Sequence, residues 1–521
     1  MPSRATATDI DAFRSGADRF VAELLDEYYQ HFAGFKDTLE LASIYERHAD
    51  LTTLDRAQSL GEAFHSGAGE AGTSAPGRLR RAYAAQAVDG DKGVRELWRF
   101  ACEGFLGNLT KEHAEKIAGL EAELVAEVDG EQVPFRMLHP RIANEGDRDT
   151  RERFDQVRNE LTEEHLNPIY LEALQVERDA VTQLGGPTYL DLYKRFGLEL
   201  EELGEQCRGL LDSTERLYED AMDRLFRARL GIPFAEAKSW DVPRLFRAPQ
   251  WDTAFPSDKM LPALESTLGD LGIDLRGQPN VELDVEQREK KSPRAFCAPI
   301  EVPSRVVLVI QPIGGPDDWQ ALFHEAGHLE HFAHASEDLR VEEKRFGDNA
   351  VTEGWAMLLQ HLTDEPAWLT RRLDFPRPRE YAAEGATGLL FFVRRYCAKL
   401  LYELELHAGA DPETARGRYV ELLGDALKIE PPPSRYLSDV DSGFYVTSYL
   451  RSWAFEAQIR DHLRTSFGND WFARREAGGL LRDLWSLGQK PTADELLEEV
   501  TGAGIEMESV AERVREGLAA A

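Results

Sequence analysis

Apolar residues recur every three to four positions through most of the chain, which is the period of an amphipathic α-helix. Between residues 9 and 33 these positions carry large side chains: Phe13, Phe20, Val21, Leu24, Leu25 and Tyr28. The same period predicts helices at about 36–65, 77–87, 92–105 and 110–128, separated by stretches that contain glycine and serine. We expect this first third of the chain to be a helical scaffold or lid, because it has no cluster of chemically reactive residues.

Prolines and glycines interrupt the helical pattern in the middle of the chain. Residues 131–142 contain two prolines, which predicts a loop or a short hairpin in place of a helix. Long helical patterns follow at 149–184 and 199–230, and each is followed by glycine and proline. Repeated prolines make residues 240–295 irregular. We expect the entrance to the functional region in this irregular stretch.

Residues 305–310, Arg-Val-Val-Leu-Val-Ile, depart from the helical period because they are almost continuously apolar and β-branched. Such a short run predicts a buried strand. Residues 314–316, Gly-Gly-Pro, then begin a helix, which Asp317 can cap with Gln320 in the position of a capping box. A strand that ends beside a helix can also bind an extended peptide by adding it as a further strand.

The helix after this strand carries His324-Glu325-Ala326-Gly327-His328, a complete His-Glu-x-x-His motif. On a helix, His324 and His328 lie four positions apart on one face, so both can bind one zinc ion. Glu325 lies one position round the helix and can take a proton from a water molecule on that metal. The motif therefore predicts a zinc site with a built-in base.

A third zinc ligand is predicted at Glu353, 25 residues after His328. A single unbroken helix would place Glu353 about 37 Å away, at about 1.5 Å per residue. Residues 345–349 predict a turn and a helix cap, so a second helix can return antiparallel and present Glu353 to the histidines. Two histidines and one glutamate leave the fourth position open, which is typical of catalytic zinc. His331 is expected to support or line the site and not to be a ligand.

A zinc site of this kind can hydrolyse an amide bond. That reaction also needs a hydrogen-bond donor for the oxyanion that forms. Tyr445 and Tyr449 lie four residues apart and share one helical face. By spacing alone, such a pair is typical of core aromatic residues. Gly443 just before them favours a tight turn at the cleft, so both tyrosines remain candidates for the oxyanion donor.

Composition narrows the class of function. The 521 residues carry a net charge of −33 and contain no basic block, so we expect no nucleic-acid binding. Four isolated cysteines predict neither a cysteine zinc cluster nor a disulfide framework: Cys102, Cys207, Cys297 and Cys397. The N-terminus lacks an apolar signal core, and the longest apolar runs are too short to span a bilayer. We expect a cytoplasmic protein without membrane contact, and the sequence leaves its oligomeric state open.

The motif region resembles a known enzyme family. Residues 324–331, with Glu353 at the observed spacing, look like the thimet oligopeptidase and oligoendopeptidase F family of zinc peptidases, the gluzincin type, and are more distantly similar to angiotensin-converting enzyme. The likeness extends upstream to residues 294–297 and downstream to residues 443–453. It covers about 150–460, and the first 130 residues match only in helical character.

This resemblance implies a mainly α, elongated fold with a deep central channel and a small β-sheet next to the active-site helix. We expect an N-terminal helical lid or scaffold region at 1–145 and a helical catalytic region at 146–521. The resemblance also implies zinc-dependent cleavage of peptide bonds in short peptides, because a narrow channel excludes folded proteins.

Each site residue of the family has a matching position in the motifs of this chain. It implies one zinc ion held by His324, His328 and Glu353, with Glu325 as the general base. Tyr449 carries over as the preferred transition-state donor, and Tyr445 is a weaker match because it is displaced by one position. The implied activity is that of a metalloendopeptidase.

Two departures from the family pattern leave other functions open. The family usually has a histidine about ten residues before the tyrosine that corresponds to Tyr449, but residues 430–448 contain no histidine, and Asp439 or Tyr436 occupies that region. Many related peptidases have an acidic residue four positions after the glutamate ligand, where this chain has Met357. The protein could instead be a zinc-containing peptide-binding protein that has lost turnover.

A further alternative is a dipeptidyl carboxypeptidase or metallocarboxypeptidase on the same scaffold. This enzyme would need a cation for the terminal carboxylate of its substrate. Arg451 and Arg435 are the candidates for that cation.

Overall fold

The computed structural model describes residues 7–66, 91–292 and 294–519. Within these ranges the protein is mainly α with two small sheets, so the predicted fold class is confirmed. The helix predicted at 77–87 lies outside the described residues. No helix in the described ranges is long and apolar enough to cross a membrane. The domain boundary near residue 145 stays a prediction.

The described residues of the first half of the chain form helices separated by turns and short strands. The helices are α1 (Ala7–Phe32), α2 (Leu41–Arg47), α3 (Leu54–His65), α4 (Lys92–Glu123), α5 (Phe135–Asn144), α6 (Arg148–Leu161), α7 (Asn167–Val181), α8 (Tyr189–Arg195), α9 (Leu200–Leu230), α10 (Val242–Arg247) and α11 (Met260–Asp270). The predicted helices at 92–105 and 110–128 are the single helix α4, so the predicted break between them is wrong.

The expectation that residues 131–142 are not helical is only half right. Strands β1 (Val125–Val128) and β2 (Glu131–Pro134) form an antiparallel hairpin through Asp129 and Gly130, both at positive φ, as a two-residue Asp-Gly turn requires. Helix α5 then begins directly after β2 and contains Pro140. The helix forms despite that proline because three of its side chains are buried in the cluster under the hairpin: Phe135, Leu138 and Ile142.

The second sheet explains why residues 305–310 are apolar at successive positions. Strand β5 (Arg305–Val309) lies between β3 (Val281–Asp284), which is parallel to it, and β4 (Phe296–Glu301), which is antiparallel. Side chains on one face of β5 join the main core, and those on the other face pack against α1. Both faces are therefore buried, as a continuous apolar run predicts.

The helices of the second half position the candidate site. They are α12 (Pro316–His334), α13 (Val341–Arg345), α14 (Asn349–Gln360), α15 (Pro366–Leu373), α16 (Pro378–His407), α17 (Pro412–Leu427), α18 (Tyr445–Phe467), α19 (Arg475–Trp485), α20 (Ala493–Thr501) and α21 (Glu508–Ala519). The capping box predicted at Asp317 and Gln320 is wrong, because the helix begins at Pro316 without a side-chain cap. Asp318 instead accepts the N–H groups of Ile313 and Gly314 and so braces the preceding turn.

Candidate metal centre

Two glycines allow the backbones of three helices to approach closely. A Cβ atom added at Gly327 would lie 2.5 Å from Cα of Ala356 and 2.5 Å from the carbonyl oxygen of Trp355. A larger residue would therefore push α12 away from α14. Gly354 has the same role between α14 and α18, because an added Cβ would overlap the ring of Phe455. These three helices carry the predicted ligands, base and tyrosines.

The three predicted ligands come together between α12 and α14. Nε2 of His324 lies 3.5 Å from Oε2 of Glu353, and Nε2 of His328 lies 3.9 Å from the same oxygen. One donor atom from each side chain falls within 4.8 Å of the others. A tetrahedral metal ion with bonds of about 2.1 Å holds its ligand atoms about 3.4 Å apart. The group could hold one metal ion after small side-chain adjustments.

The buried carboxylate of Glu353 also fits a metal ion. Its Oε1 accepts a hydrogen bond of 2.7 Å from the hydroxyl of Tyr445, whereas Oε2 is buried and has no hydrogen-bond partner among the described residues. Burial raises the pKa of Glu353, against the charge of His324 and the bond from Tyr445. An unsatisfied buried acceptor costs about 1–3 kcal/mol, and a cation beside Oε2 would remove that cost.

Hydrogen bonds on the far side of each imidazole direct both Nε2 atoms towards this carboxylate. Nδ1 of His324 lies 2.8 Å from Oε1 of Gln360, and an amide oxygen can only accept, so the proton belongs on Nδ1 and the lone pair on Nε2. Nδ1 of His328 lies 2.9 Å from Oγ1 of Thr352. Burial keeps the pKa of His328 well below its usual range, so its ring is neutral, as metal binding requires.

Sequence reasoning missed Gln360 and Thr352. Both lie on α14 with Glu353. Thr352 comes directly before Glu353, and Gln360 comes two helical turns after it. The family pattern directs attention to an acidic side chain four positions after Glu353, where Met357 stands. The Met357 sulfur accepts a hydrogen bond of 3.2 Å from Ser452 instead. A survey of every polar residue on the helix of the third ligand would have found both.

Glu325 lies beside the ligand group and is held by the small sheet. Its Oε2 accepts a hydrogen bond of 2.8 Å from the backbone N–H of Cys297 on β4. Burial raises the pKa of Glu325 to about 8, and the bond from Cys297 acts in the opposite direction. One oxygen of the carboxyl group is therefore held in place, and the pKa of the group lies close to neutral pH.

The two predicted tyrosines lie on the first turns of α18. Gly443 and Phe444, both at positive φ, turn the chain into this helix, as the tight turn predicted at Gly443 requires. The ring centroids of Tyr445 and Tyr449 are 5.2 Å apart. Tyr445 is engaged with Glu353, whereas the hydroxyl of Tyr449 has no hydrogen-bond partner within the described part of the chain. Burial and the charge of Glu353 raise the pKa of Tyr449, so its hydroxyl keeps its proton.

Three other candidate residues do not belong to the group of ligand atoms. His331 is completely buried and does not belong to the metal-binding group. Asp439 is paired with Arg395, and Tyr436 is buried in a separate apolar cluster. In the described ranges, neither Asp439 nor Tyr436 hydrogen-bonds to a predicted ligand, so neither replaces the family's histidine there.

Arg451, a candidate for binding a terminal carboxylate, is already bound by two carboxylates of the protein. Its guanidinium forms two hydrogen bonds with Asp348, of 2.8 and 2.6 Å, and a third of 2.9 Å with Asp494. Its charge therefore links α18 to α14 and α20. The other candidate, Arg435, lines an open cavity.

This cavity, of about 640 Å³, lies next to the ligand group. Gln320, one turn before His324, and Gln360, which binds His324, form the adjoining wall. Much of the lining is apolar: Leu245, Phe246, Phe391, Leu427 and Ile429. The volume falls within the range of about 300–1,000 Å³ that is usual for ligand pockets.

No protein-family model matches this sequence, and no curated protein matches it. Among solved structures, the chain is similar to one from Bacillus anthracis str. Ames that is described as a "putative oligoendopeptidase F". The likeness covers 98% of this chain and 85% of that chain, with a TM-score of 0.57 and 17% sequence identity. The chain has the oligoendopeptidase F fold. The resemblance seen in the motif region is therefore confirmed as a likeness of fold over almost the whole chain, including the N-terminal helices.

Proposed function

We propose that this chain is a zinc-dependent oligopeptidase that hydrolyses peptide bonds within short peptides. The observation that carries the proposal is the convergence of His324, His328 and the unpaired Oε2 of Glu353 on one point, with Glu325 held beside it. The oligoendopeptidase F fold supports the peptidase class. The adjoining cavity offers room for several groups of a peptide.

His324, His328 and Glu353 would hold the zinc ion. When bound, zinc would polarise the carbonyl under attack and lower the pKa of a water molecule from about 15.7 to about 7. The bonds from Gln360 and Thr352 keep the two imidazoles in the tautomer and orientation that such a site needs.

Glu325 is the proposed general base. Among the described residues, Cys297 alone hydrogen-bonds to this carboxylate, so Oε1 remains available for proton transfer. Its burial gives it a proton affinity suited to accepting a proton from the attacking water and donating it to the leaving amine. Both steps require the carboxylate to stay in place, and the bond to β4 provides this restraint.

Tyr449 is the preferred donor to the oxyanion. Its protonated hydroxyl can donate without first breaking a hydrogen bond, whereas Tyr445 would have to release Oε1 of Glu353. A donor that is already in place stabilises developing charge without reorganisation. Tyr445 therefore acts first as a support for the glutamate ligand and second as a possible donor.

The peptide would bind along β4 and not along β5. Strand β5 has neighbours on both sides, so no peptide can pair with it, and the expectation that a peptide lies beside residues 298–310 as an added strand applies to the β4 part of that range. Strand β4 pairs with β5 on one side, and the N–H of Cys297 points to Glu325 on the other. A peptide added there as a strand would pass directly over the proposed base.

Cleavage of a library of short quenched-fluorescence peptides by the zinc-loaded protein tests the proposal. We expect internal cuts, detected by mass spectrometry, that disappear on chelation and return when one equivalent of zinc is added. Zinc-loaded protein that binds peptides but leaves the library intact would select the degenerate peptide-binding alternative.

The cutting pattern tests the exopeptidase alternative, which the position of Arg435 in the cavity keeps open. Stepwise removal of one or two residues from the C-terminal end would select a carboxypeptidase or a dipeptidyl carboxypeptidase. Products cut at several internal positions would select the oligoendopeptidase.

A further inference from the structure

Aromatic side chains at the end of α1 form an exposed patch beside strand β4. Phe32, the last residue of α1, is 42% exposed. Its ring packs edge-on against Phe296, the first residue of β4, with ring centroids 6.3 Å apart. The same ring stacks on Tyr28, one turn earlier on α1, at 6.0 Å. We refer to Tyr28, Phe32 and Phe296 as the aromatic patch. Exposed apolar patches on a protein surface commonly mark a binding site.

Contacts with the chain around β4 hold the end of α1 in place. The carbonyl oxygen of Phe32 accepts a hydrogen bond of 2.7 Å from the N–H of Ser292, and that of Ala33 accepts one of 2.5 Å from Arg288. Ala33 and Phe296 also pack in the apolar cluster between α1 and the small sheet. The aromatic patch is therefore a fixed surface beside the strand, and its ring at Phe32 is exposed without being loosely attached.

The free part of the β4 edge lies next to this patch. Among the described strands, β4 pairs with β5 alone. The carbonyl oxygens of Pro299 and Ile300 each accept a hydrogen bond of 2.7 Å from Arg345, so these acceptors are not available to an added strand. Towards the patch, the N–H of Cys297 meets the proposed base Glu325. A peptide that pairs with β4 therefore has to bind at the end of the strand that carries the patch.

The alternation of side chains along β4 decides which side of a bound peptide meets the patch. Cys297 packs against the main core, which includes residues of α12, whereas Phe296 and Ala298 face α1. Residues directly opposite each other on paired strands share one face of the sheet. A peptide residue opposite Phe296 would therefore direct its side chain towards α1 and onto the exposed ring of Phe32. The next residue of the peptide would point to the opposite face, towards α12.

We propose that the aromatic patch binds a large apolar side chain of the peptide substrate, aromatic in the best case. The inference rests on the proposed peptidase function and adds the class of peptide that the site prefers. The patch is continuous with the free edge of β4, one residue from the N–H that holds Glu325, and this continuity identifies the occupant as the peptide. An aromatic side chain can repeat the edge-to-face contact that Phe296 makes with Phe32. Helix α1 thereby contributes to specificity in addition to its expected role as a scaffold or lid.

Peptides that differ at one residue test the inference. An alanine-rich quenched-fluorescence peptide is made with a single phenylalanine at each position in turn, together with the parent that lacks phenylalanine. For the zinc-loaded wild type, we expect phenylalanine at one position to raise kcat/KM about tenfold or more, because even one methylene group in an apolar pocket can change it by about that factor. A wild type that treats the whole series alike would overturn the inference and leave the proposed function standing.

Phe32→Ala should remove this preference, and Phe32→Trp, which keeps an aromatic surface, should retain it. The preference is a ratio of two peptides within one variant, so a general loss of activity does not change it. Phe35→Ala is the matched control, because Phe35 is 52% exposed but packs on Arg288, which is paired with Asp284 at the end of β3 on the other edge of the sheet. A preference that persists in Phe32→Ala, or that is lost equally in Phe35→Ala, would overturn the inference.

A second copy of the chain is the other candidate occupant of the patch. Light scattering of the wild type and of Phe32→Ala at equal concentration distinguishes the two occupants. We expect the same mass for both proteins. A wild-type dimer that dissociates in Phe32→Ala would show that the patch joins two copies and would overturn the inference.

Binding measurements keep the inference testable even if no peptide is cleaved. Fluorescence anisotropy of the same labelled peptides, with the zinc-loaded wild type and with Phe32→Ala, gives their affinities directly. Absence of cleavage would overturn the proposed function, whereas tighter binding of one phenylalanine peptide that is lost in Phe32→Ala would still support the aromatic patch. Equal affinities across the series would overturn it.

Discussion

Replacing Asp348 by asparagine should weaken the contact among the helices that carry the site. Asp348 caps α14 by accepting the N–H of Ala350, and it accepts the N–H of Ala493 at the start of α20. Its carboxylate also binds Arg451 of α18 at two oxygens. Asparagine keeps the shape of the side chain but removes its charge and one acceptor.

Two arguments set the size of the expected loss. Burial alone would raise the pKa of Asp348, but the charge of Arg451 and the hydrogen bonds lower it to about 2, from an ordinary value of 3.8. This difference corresponds to about 2.4 kcal/mol, at about 1.4 kcal/mol per pH unit. Removing one partner of a buried ion pair costs about 3–5 kcal/mol in other proteins. We expect Asp348→Asn to lower the free energy of unfolding by about 2–4 kcal/mol.

Urea denaturation followed by tryptophan fluorescence at pH 7 measures the loss. Asp494→Asn is the control, because Asp494 binds the same arginine but its side chain is 47% exposed, so its removal should cost under about 1 kcal/mol. The folded-state pKa of Asp348 is depressed, so its stabilisation is complete above about pH 4 and is lost as the pH falls towards 2. The difference between wild type and Asp348→Asn should therefore shrink on acidification.

Equal stability of Asp348→Asn and the wild type at pH 7 would refute this reasoning. A loss no larger than that of Asp494→Asn would refute it as well, because the buried oxygens would then contribute no more than the exposed ones. A difference that stays constant from pH 7 to pH 2 would show that the charge of Asp348 is not the cause.

Four further substitutions test the site itself. Gln360→Leu should weaken zinc binding about 10- to 100-fold, because it removes the bond that orients one ligand imidazole; unchanged affinity in competition with a chromophoric chelator would contradict that role. Tyr449→Phe should lower kcat about 10²- to 10³-fold with little change in KM, and Tyr445→Phe should instead mainly weaken zinc binding; the reverse pattern would exchange their roles. Gly327→Ala should lower the free energy of unfolding by about 1–3 kcal/mol and weaken zinc binding, whereas Gly209→Ala, with open space at its Cβ, should be neutral or stabilising.

Much of the site could be predicted because the features that define it depend on residues close together in the sequence. The spacing of His324 and His328 places both on one helical face, and helix periodicity does not depend on the rest of the fold. The turn and cap at residues 345–349 were sufficient to place Glu353 on a new helix. The structure brings all three together, and Gly327 explains how their helices come close enough.

The rest could not be predicted because it depends on contacts between distant segments. Tyr445 reaches Glu353 across 92 residues of sequence, and Arg451 reaches Asp348 across 103. Helix α5 forms around Pro140 because tertiary burial outweighs the local preference, which a proline count cannot show. Pairing of β5 on both sides likewise follows from the sheet order and not from its own residues.

The central claim is that one zinc ion held by the two histidines and Glu353 serves peptide hydrolysis through Glu325. Zinc content per chain and peptide turnover, measured on the same preparations of wild type, Glu325→Gln and Glu353→Gln, test it most directly. We predict one zinc and cleavage for the wild type, one zinc without cleavage for Glu325→Gln, and strongly weakened zinc binding for Glu353→Gln. A zinc-loaded wild type that cleaves no peptide, or a Glu325→Gln variant that cleaves at the wild-type rate, would contradict the claim.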